Sequence, residues 1–205
     1  GELKYPIEIE GTNAPAKILQ PIQASLGSEK IVQITFTHYL KKAATYTVKV
    51  EKYADNIPFS DFIPEVANIT VDPAKGGQPE NTFNLKYEPS NVIESKGILK
   101  VSSPDGGEYQ WVITGKASFP QAQGPFKIPS GKGLSLEFKN PLNEAVDVNV
   151  RFDNPNFSAG KVNNKLEAKK VMNVPIAYKV INNESGNTGR CIITINQLPS
   201  WVYYL

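Results

Sequence analysis

The chain has one cysteine, one histidine and one methionine among its 205 residues. Cys191 alone allows no disulfide within the chain. Extracellular sandwiches of this size often carry one, so the sequence leans toward a reducing compartment. With His38 alone, a zinc site or a serine-protease-type triad lacks its other members. Cys191 likewise has no second imidazole to serve as its base. Charge of one sign is also scarce: 22 basic and 20 acidic residues leave a net +2, too little to argue for nucleic acid or an anionic membrane. No apolar run has the length of a membrane span, and the first residues do not read as a signal peptide. No segment holds a helical period over ten residues. The nearest, NNKLEAKKVM at 163–172, suggests one helical turn.

What is present is alternation. In GKGLSLEFKNPLNEAVDVNVRF (131–152), Leu134, Leu136 and Phe138 alternate with Ser135, Glu137 and Lys139. Beyond Asn140-Pro141-Leu142-Asn143, Val146, Val148, Val150 and Phe152 alternate with Asp147, Asn149 and Arg151. A period of two means strands with one apolar and one wet face, and Pro141, lacking an N–H, ends the first of them. The same design stands earlier, in KIVQITFTHYLKKAATYTVKV. A shift of 102 positions carries Val32, Ile34, Phe36, Leu40, Tyr46, Val48 and Val50 onto Leu134, Leu136, Phe138, Leu142, Val148, Val150 and Phe152 without a gap. This is an internal duplication with a period close to a domain length.

Short strands separated by turns every eight to twelve residues predict an all-β chain of two tandem Ig-like β-sandwiches. With 40% apolar and 20% charged residues, such a chain can build cores without disulfides. The expected units are 12–116 and 117–205, the second read as cut short. Residues 1–11, GELKYPIEIEG, read as a strand with Leu3, Tyr5, Ile7 and Ile9 on one face. They either close a preceding unit or open the first, so the chain reads as a fragment of something longer. The stretches at 107–115 and 199–205 look like equivalent closing strands, matched through Tyr5, Trp111 and Trp201.

Few residues invite a chemical role. His38 reads as a polar residue in the strand connection, where the second copy has Asn140. Cys191 reads as a small core residue, and Trp111 and Trp201 as core or inter-domain packing. Paired carboxylates (Glu8 with Glu10, Glu137 with Asp147) read as exposed sheet charge, and the glycine pairs as hairpin turns without the strand-to-helix setting of a phosphate loop. Asn68, Asn156 and Asn183 head glycosylation tripeptides that matter only in a secreted protein. Lys41, Lys42, Lys49 and Lys52 cluster in sequence around the first hairpin. They are the candidate docking patch for an acidic partner, weighed against lysines that merely keep a strand edge soluble. No catalytic residue, cofactor, metal or small-molecule substrate is indicated.

Phe138, Asn140, Pro141 and Leu142 (F-x-N-P-L), then Ala145 to Val150 (A-x-x-x-V-x-V), and a late aromatic strand closing on Gly115 resemble the ASH domain. This is the Ig-like unit shared by abnormal-spindle, SPD-2 and Hydin proteins, akin to major sperm protein and PapD-like sandwiches. The first copy departs from the pattern, with His38-Tyr39 in place of Asn-Pro. The resemblance covers roughly 12–205 and is similar to tandem arrays in large axonemal proteins of motile cilia. It implies a non-enzymatic spacer and docking module of the ciliary axoneme and its central apparatus, with axonemal or cytoskeletal proteins as partners. Two alternatives stand beside it: a module taking acidic peptides in the manner of major sperm protein, and a secreted Ig-like adhesin fragment.

Overall fold

The computed structural model describes residues 3–8, 10, 12, 14–74, 80–129 and 131–205. Alternating side chains make strands throughout. The first sandwich has β1 (Lys17–Ile18), β2 (Ile22–Ser25), β3 (Lys30–Thr37), β4 (Ala44–Lys52), β5 (Phe62–Pro64), β6 (Asn68–Val71), β7 (Glu80–Tyr87), β8 (Ser95–Ser103) and β9 (Gly107–Ser118). The second has β10 (Leu134–Lys139), β11 (Val146–Phe152), β12 (Phe157–Ala159), β13 (Lys165–Leu166), β14 (Val171–Tyr178), β15 (Arg190–Ile195) and β16 (Trp201–Tyr204). In the first, the sheet β1-β9-β8-β4-β6, with β2 also on β9, faces β3-β7-β5. In the second, β13-β11-β15-β16 faces β10-β14-β12. The chain is all-β, two Ig-like sandwiches in tandem, and the inward residues of each form their own hydrophobic cluster.

Positions 102 apart hold the same places in the ladders. Ile34 faces Phe83 as Leu136 faces Val174, and Val48 faces Val101 as Val150 faces Ile193. The match of the two tryptophans is one residue pair out of step. Leu99 faces Trp111 where Cys191 faces Tyr203, and Val101 faces Tyr109 where Ile193 faces Trp201. Trp201 therefore stands in the place of Tyr109, and the two rings pack on the equivalent Phe138 and Phe36. Spacing from the hairpin sets a residue's place; the type of aromatic does not.

Two local expectations are corrected. Residues 3–8 and 10 are irregular, and Leu3, Tyr5 and Ile7 are about four-fifths exposed; Gly1, Glu2, Ile9 and Gly11 lie outside the described residues. Alternation prepares a strand, but a ladder partner makes one, and no named strand pairs with this stretch. The helical turn expected at 163–172 is instead β13 and the start of β14. The 3-10 turn that does form is at Asn183–Ser185, where the Asn182 side chain accepts from the Glu184 N–H. Of the glycine pairs expected as hairpin turns, Gly76-Gly77 lies outside the described residues.

Candidate interaction site

The chain leaving β2 of the first sandwich also reaches the second. Ile22 is buried in the first core and Ala24 packs on it; Leu26, the next residue of the same parity, is buried in the second core at 2% exposure. What carries it there is a parallel ladder. β2 runs beside the end of β9, from Ile22 opposite Gly115 to Ser25 opposite Ser118, and the Leu26 N–H donates to the Ser118 carbonyl at 2.9 Å. Gly27 follows with φ +85°, a backbone that disfavours any side chain. A Cβ there would stand 2.9 Å from Nε1 of Trp201, so the glycine also lets the indole of the second sandwich lie against the turn.

Charge closes the same junction. Glu88, immediately after β7, is buried at 6% exposure. Its carboxylate meets Lys86 of its own sandwich at 3.3 Å, and Lys139 at 2.9 Å and Lys169 at 3.5 Å from the other. Burial pushes its pKa up, but the Lys139, Lys169 and Lys86 ammonium groups outweigh burial and hold it below the ordinary glutamate value. Lys169 also donates to the Pro141 carbonyl at 2.6 Å, which steers its ammonium to this spot. Val92, in the loop between β7 and β8, packs on the second core. Apolar insertion and a partly screened ionic cluster therefore meet at the junction of the two sandwiches.

The four candidate lysines are exposed, but the structure does not gather them. Lys42 precedes β4 and Lys52 ends it, and the strand's nine residues put about 27 Å between its ends. Lys42 pairs with Asp105 at 3.0 Å, Lys52 with Asp55 at 2.6 Å, and Lys49 with Glu51 at 2.5 Å. Glu51 is shared with Lys100 at 3.1 Å, and the two ammonium groups lower its pKa. Lys41 is exposed and, among the described residues, carries no ion pair.

His38 is fully buried. Its ring nitrogens lie 2.9 Å from the Tyr46 hydroxyl and 2.9 Å from the Lys42 carbonyl. Asn140, at the equivalent place, is also fully buried, and its amide donates to the Glu144 carbonyl at 2.7 Å. Each plugs a strand connection, as a buried polar group with partners does. Cys191 is buried, which pushes its thiol up to about 11 and leaves it a packing residue. Glu137 lies on β10 and Asp147 on β11, in opposite sheets, so they are not a pair.

Leu26, Glu88, Lys139 and Lys169 do not stand out in the sequence. The one available signal was that glycine precedes the first long strand in both copies, Gly27 and Gly131, each with positive φ.

No family model matches the chain. Along its whole length it is 31% identical to a segment of mouse hydrocephalus-inducing protein, over 215 aligned residues. The human homologue matches at 29% over the same span. Both of these relatives are Hydin proteins. The chain spans 4% of the length of each of these two relatives. Among solved structures, an ASH/PapD-like domain of human CEP192 aligns with a TM-score of 0.42 at 6% identity, covering 59% of this chain and all of that one. The Pseudomonas aeruginosa CupB2 chaperone aligns at 0.35 and 14% identity, covering 87% and 97%. At these scores the fold rests on the chain's own ladders, and the kinship to Hydin rests on sequence.

Proposed function

We propose that this Hydin-like chain is a non-enzymatic spacer and protein-docking module of a large ciliary protein. Its units, 12–116 and 117–205, would serve the central apparatus of the axoneme in cilium assembly and motility, with other axonemal or cytoskeletal proteins as partners. The observation that carries the reading is the junction. Leu26 of the first sandwich is buried in the core of the second, and Glu88 is clasped by lysines of both, so a pull or a twist on one unit is passed to the other. The kinship to Hydin supplies the setting. Of the three glycosylation tripeptides, Asn156 is closed to a glycan, being 2% exposed with its amide nitrogen bonded to the Asn182 and Gly186 carbonyls, whereas Asn68 and Asn183 are exposed, so glycans at those two are what the adhesin alternative requires.

The docking surface we propose is the exposed lysines at and beside β4, Lys41, Lys42, Lys49 and Lys52, toward an acidic segment of a partner that would compete with their own acidic partners. The test is localisation of the tagged full-length protein in ciliated cells. Signal along the axoneme is expected, and loss of that signal with K41E/K42E/K49E/K52E supports the lysine face. Display on the outer cell surface overturns the spacer reading. Unchanged axonemal signal in the four-lysine variant overturns the docking face alone.

A further inference from the structure

The edge strand of a sheet is kept from pairing with other chains by being short, charged, interrupted by proline or covered. Most edges of these sandwiches follow that rule. β1 and β13 have two residues, β5 and β12 three, and β2 and β6 four. β16 is covered, since the Gln123 N–H donates to the Val202 carbonyl at 2.9 Å and the Phe126 N–H to the Tyr204 carbonyl at 2.8 Å. β10 carries Glu137 and Lys139. β3, which holds the place of β10 in the first sandwich, has none of these protections beyond its first residue. Its eight residues read KIVQITFT, with no charge after Lys30 and no proline.

Main-chain direction shows which groups of β3 are free. The Glu65 N–H donates to the Asn84 carbonyl and the Glu88 N–H to the Asp61 carbonyl, so the even-numbered residues of β7 and its end turn toward β5. The odd-numbered Phe83, Leu85 and Tyr87 therefore bond β3, at Ile34, Val32 and Lys30. The N–H and C=O groups of Ile31, Gln33, Thr35 and Thr37 then point out of the sheet. The Tyr109 hydroxyl donates to the Thr37 carbonyl at 2.6 Å from the opposite sheet, in keeping with that direction. Ile31 is 53% exposed and Gln33 is exposed, so the edge is open to another chain.

We propose that β3 is the contact through which two copies of this chain pair, antiparallel, about a twofold axis at Ile34. In that register Gln33 faces Thr35 of the other copy and Ile31 faces its Thr37. Both are pairs whose free N–H and C=O groups point at each other. Each facing pair is uncharged, and Lys30 lies beyond them, so a second β3 meets no like charge along the ladder. The inward side chains also match, with Ile34 opposite itself and Val32 opposite Phe36. The twofold axis closes the contact at two chains, and the sheet becomes continuous as β5-β7-β3-β3-β7-β5. The second sandwich has no such contact to offer, because Glu137 and Lys139 stand on β10 where β3 has Thr35 and Thr37.

The experiment follows sedimentation and amide exchange of the 205-residue chain as its concentration rises. Dimers are expected to accumulate by about 1 mM. Exchange at the Gln33 and Thr35 amides is expected to slow about tenfold as they do, while Ile34 and Phe36, already bonded to β7, keep their rates. Two double variants test the register: Gln33→Lys with Thr35→Lys, and Gln33→Glu with Thr35→Glu. Each sets like charges opposite one another on the outer face of the sheet and should weaken its own pairing about tenfold or more. An equal mixture of the two should recover the dimer. A chain still monomeric at about 1 mM overturns the proposal. Dimers whose Gln33 and Thr35 amides exchange as fast as in the monomer overturn it too, since they use another surface. That measurement needs no variant, so it decides even where a double variant fails to fold. Folded variants that pair as the unaltered chain does, or whose mixture does not recover the dimer, overturn the register at Ile34.

Discussion

His38 in the first sandwich and Asn140 in the second occupy one place in the blueprint, and their differences are instructive. Both are fully buried, His38 between β3 and β4 and Asn140 between β10 and β11, and both reach the carbonyl four residues on, Lys42 and Glu144. The histidine is held on its other side by the Tyr46 hydroxyl, which itself donates to the Gly106 carbonyl. The second sandwich has Val148 at the place of Tyr46, so no hydroxyl is available. Its amide instead donates to the Leu166 and Glu167 carbonyls, while its oxygen accepts the Leu142 N–H. The duplicated fold thus preserves a requirement, a buried polar plug that satisfies the connection. The side chain that meets it depends on which partners the neighbouring strand supplies.

The junction breaks the symmetry between the two sandwiches, and a substitution there measures it. Leu26→Ala is expected to cost about 2–5 kcal/mol, as for a buried leucine. The loss should appear in the second sandwich, read by Trp201, although the residue follows a strand of the first. Unfolding of the first sandwich alone would contradict the shared core.

The two plugs should then respond unequally to exchange. Asn140→His places a ring where no hydroxyl faces it and leaves the Leu142 N–H and two carbonyls unmet, at a cost of about 2–3 kcal/mol. His38→Asn keeps a short polar side chain near the Lys42 carbonyl and should cost about 1 kcal/mol. Chemical denaturation of each variant checks the order, and equal losses would mean that the surroundings do not set the choice.

The smallest effect belongs to Glu88. Its pKa is lowered in the folded chain, so its contribution is fully present above the ordinary glutamate value and is lost as pH falls through the depressed folded value. Its lysine partners are about a third exposed, so solvent screens the cluster, and Glu88→Gln should cost about 1 kcal/mol at neutral pH. The same variant should flatten the loss of stability as pH falls below the ordinary glutamate value. An acid limb of the melting curve unchanged by Glu88→Gln would remove the ionic clasp from the junction.

Much of the fold was legible in the sequence because period-two alternation and hairpin spacing are local. Phe36 and Phe138 found their places through a gap-free shift that needed no coordinates. Tyr5 and Trp111 misled for opposite reasons. Residues around Tyr5 alternate but pair with no named strand, and Trp111 was matched to Trp201 by ring type when hairpin spacing matches it to Tyr203. The candidate site was hardly legible. The lysines adjacent in sequence are spread along a strand and mostly paired with acids. Glu88 finds Lys139 and Lys169 more than fifty residues away.

The amino-acid order by itself determined the strands, their inward faces and the doubling of the sandwich, because each depends on side chains two apart or on a shift within one chain. Only the tertiary structure decided which sandwich buries Leu26 and where Glu88 finds its counter-charges. Those outcomes depend on how two finished surfaces approach each other, and no local period records that approach.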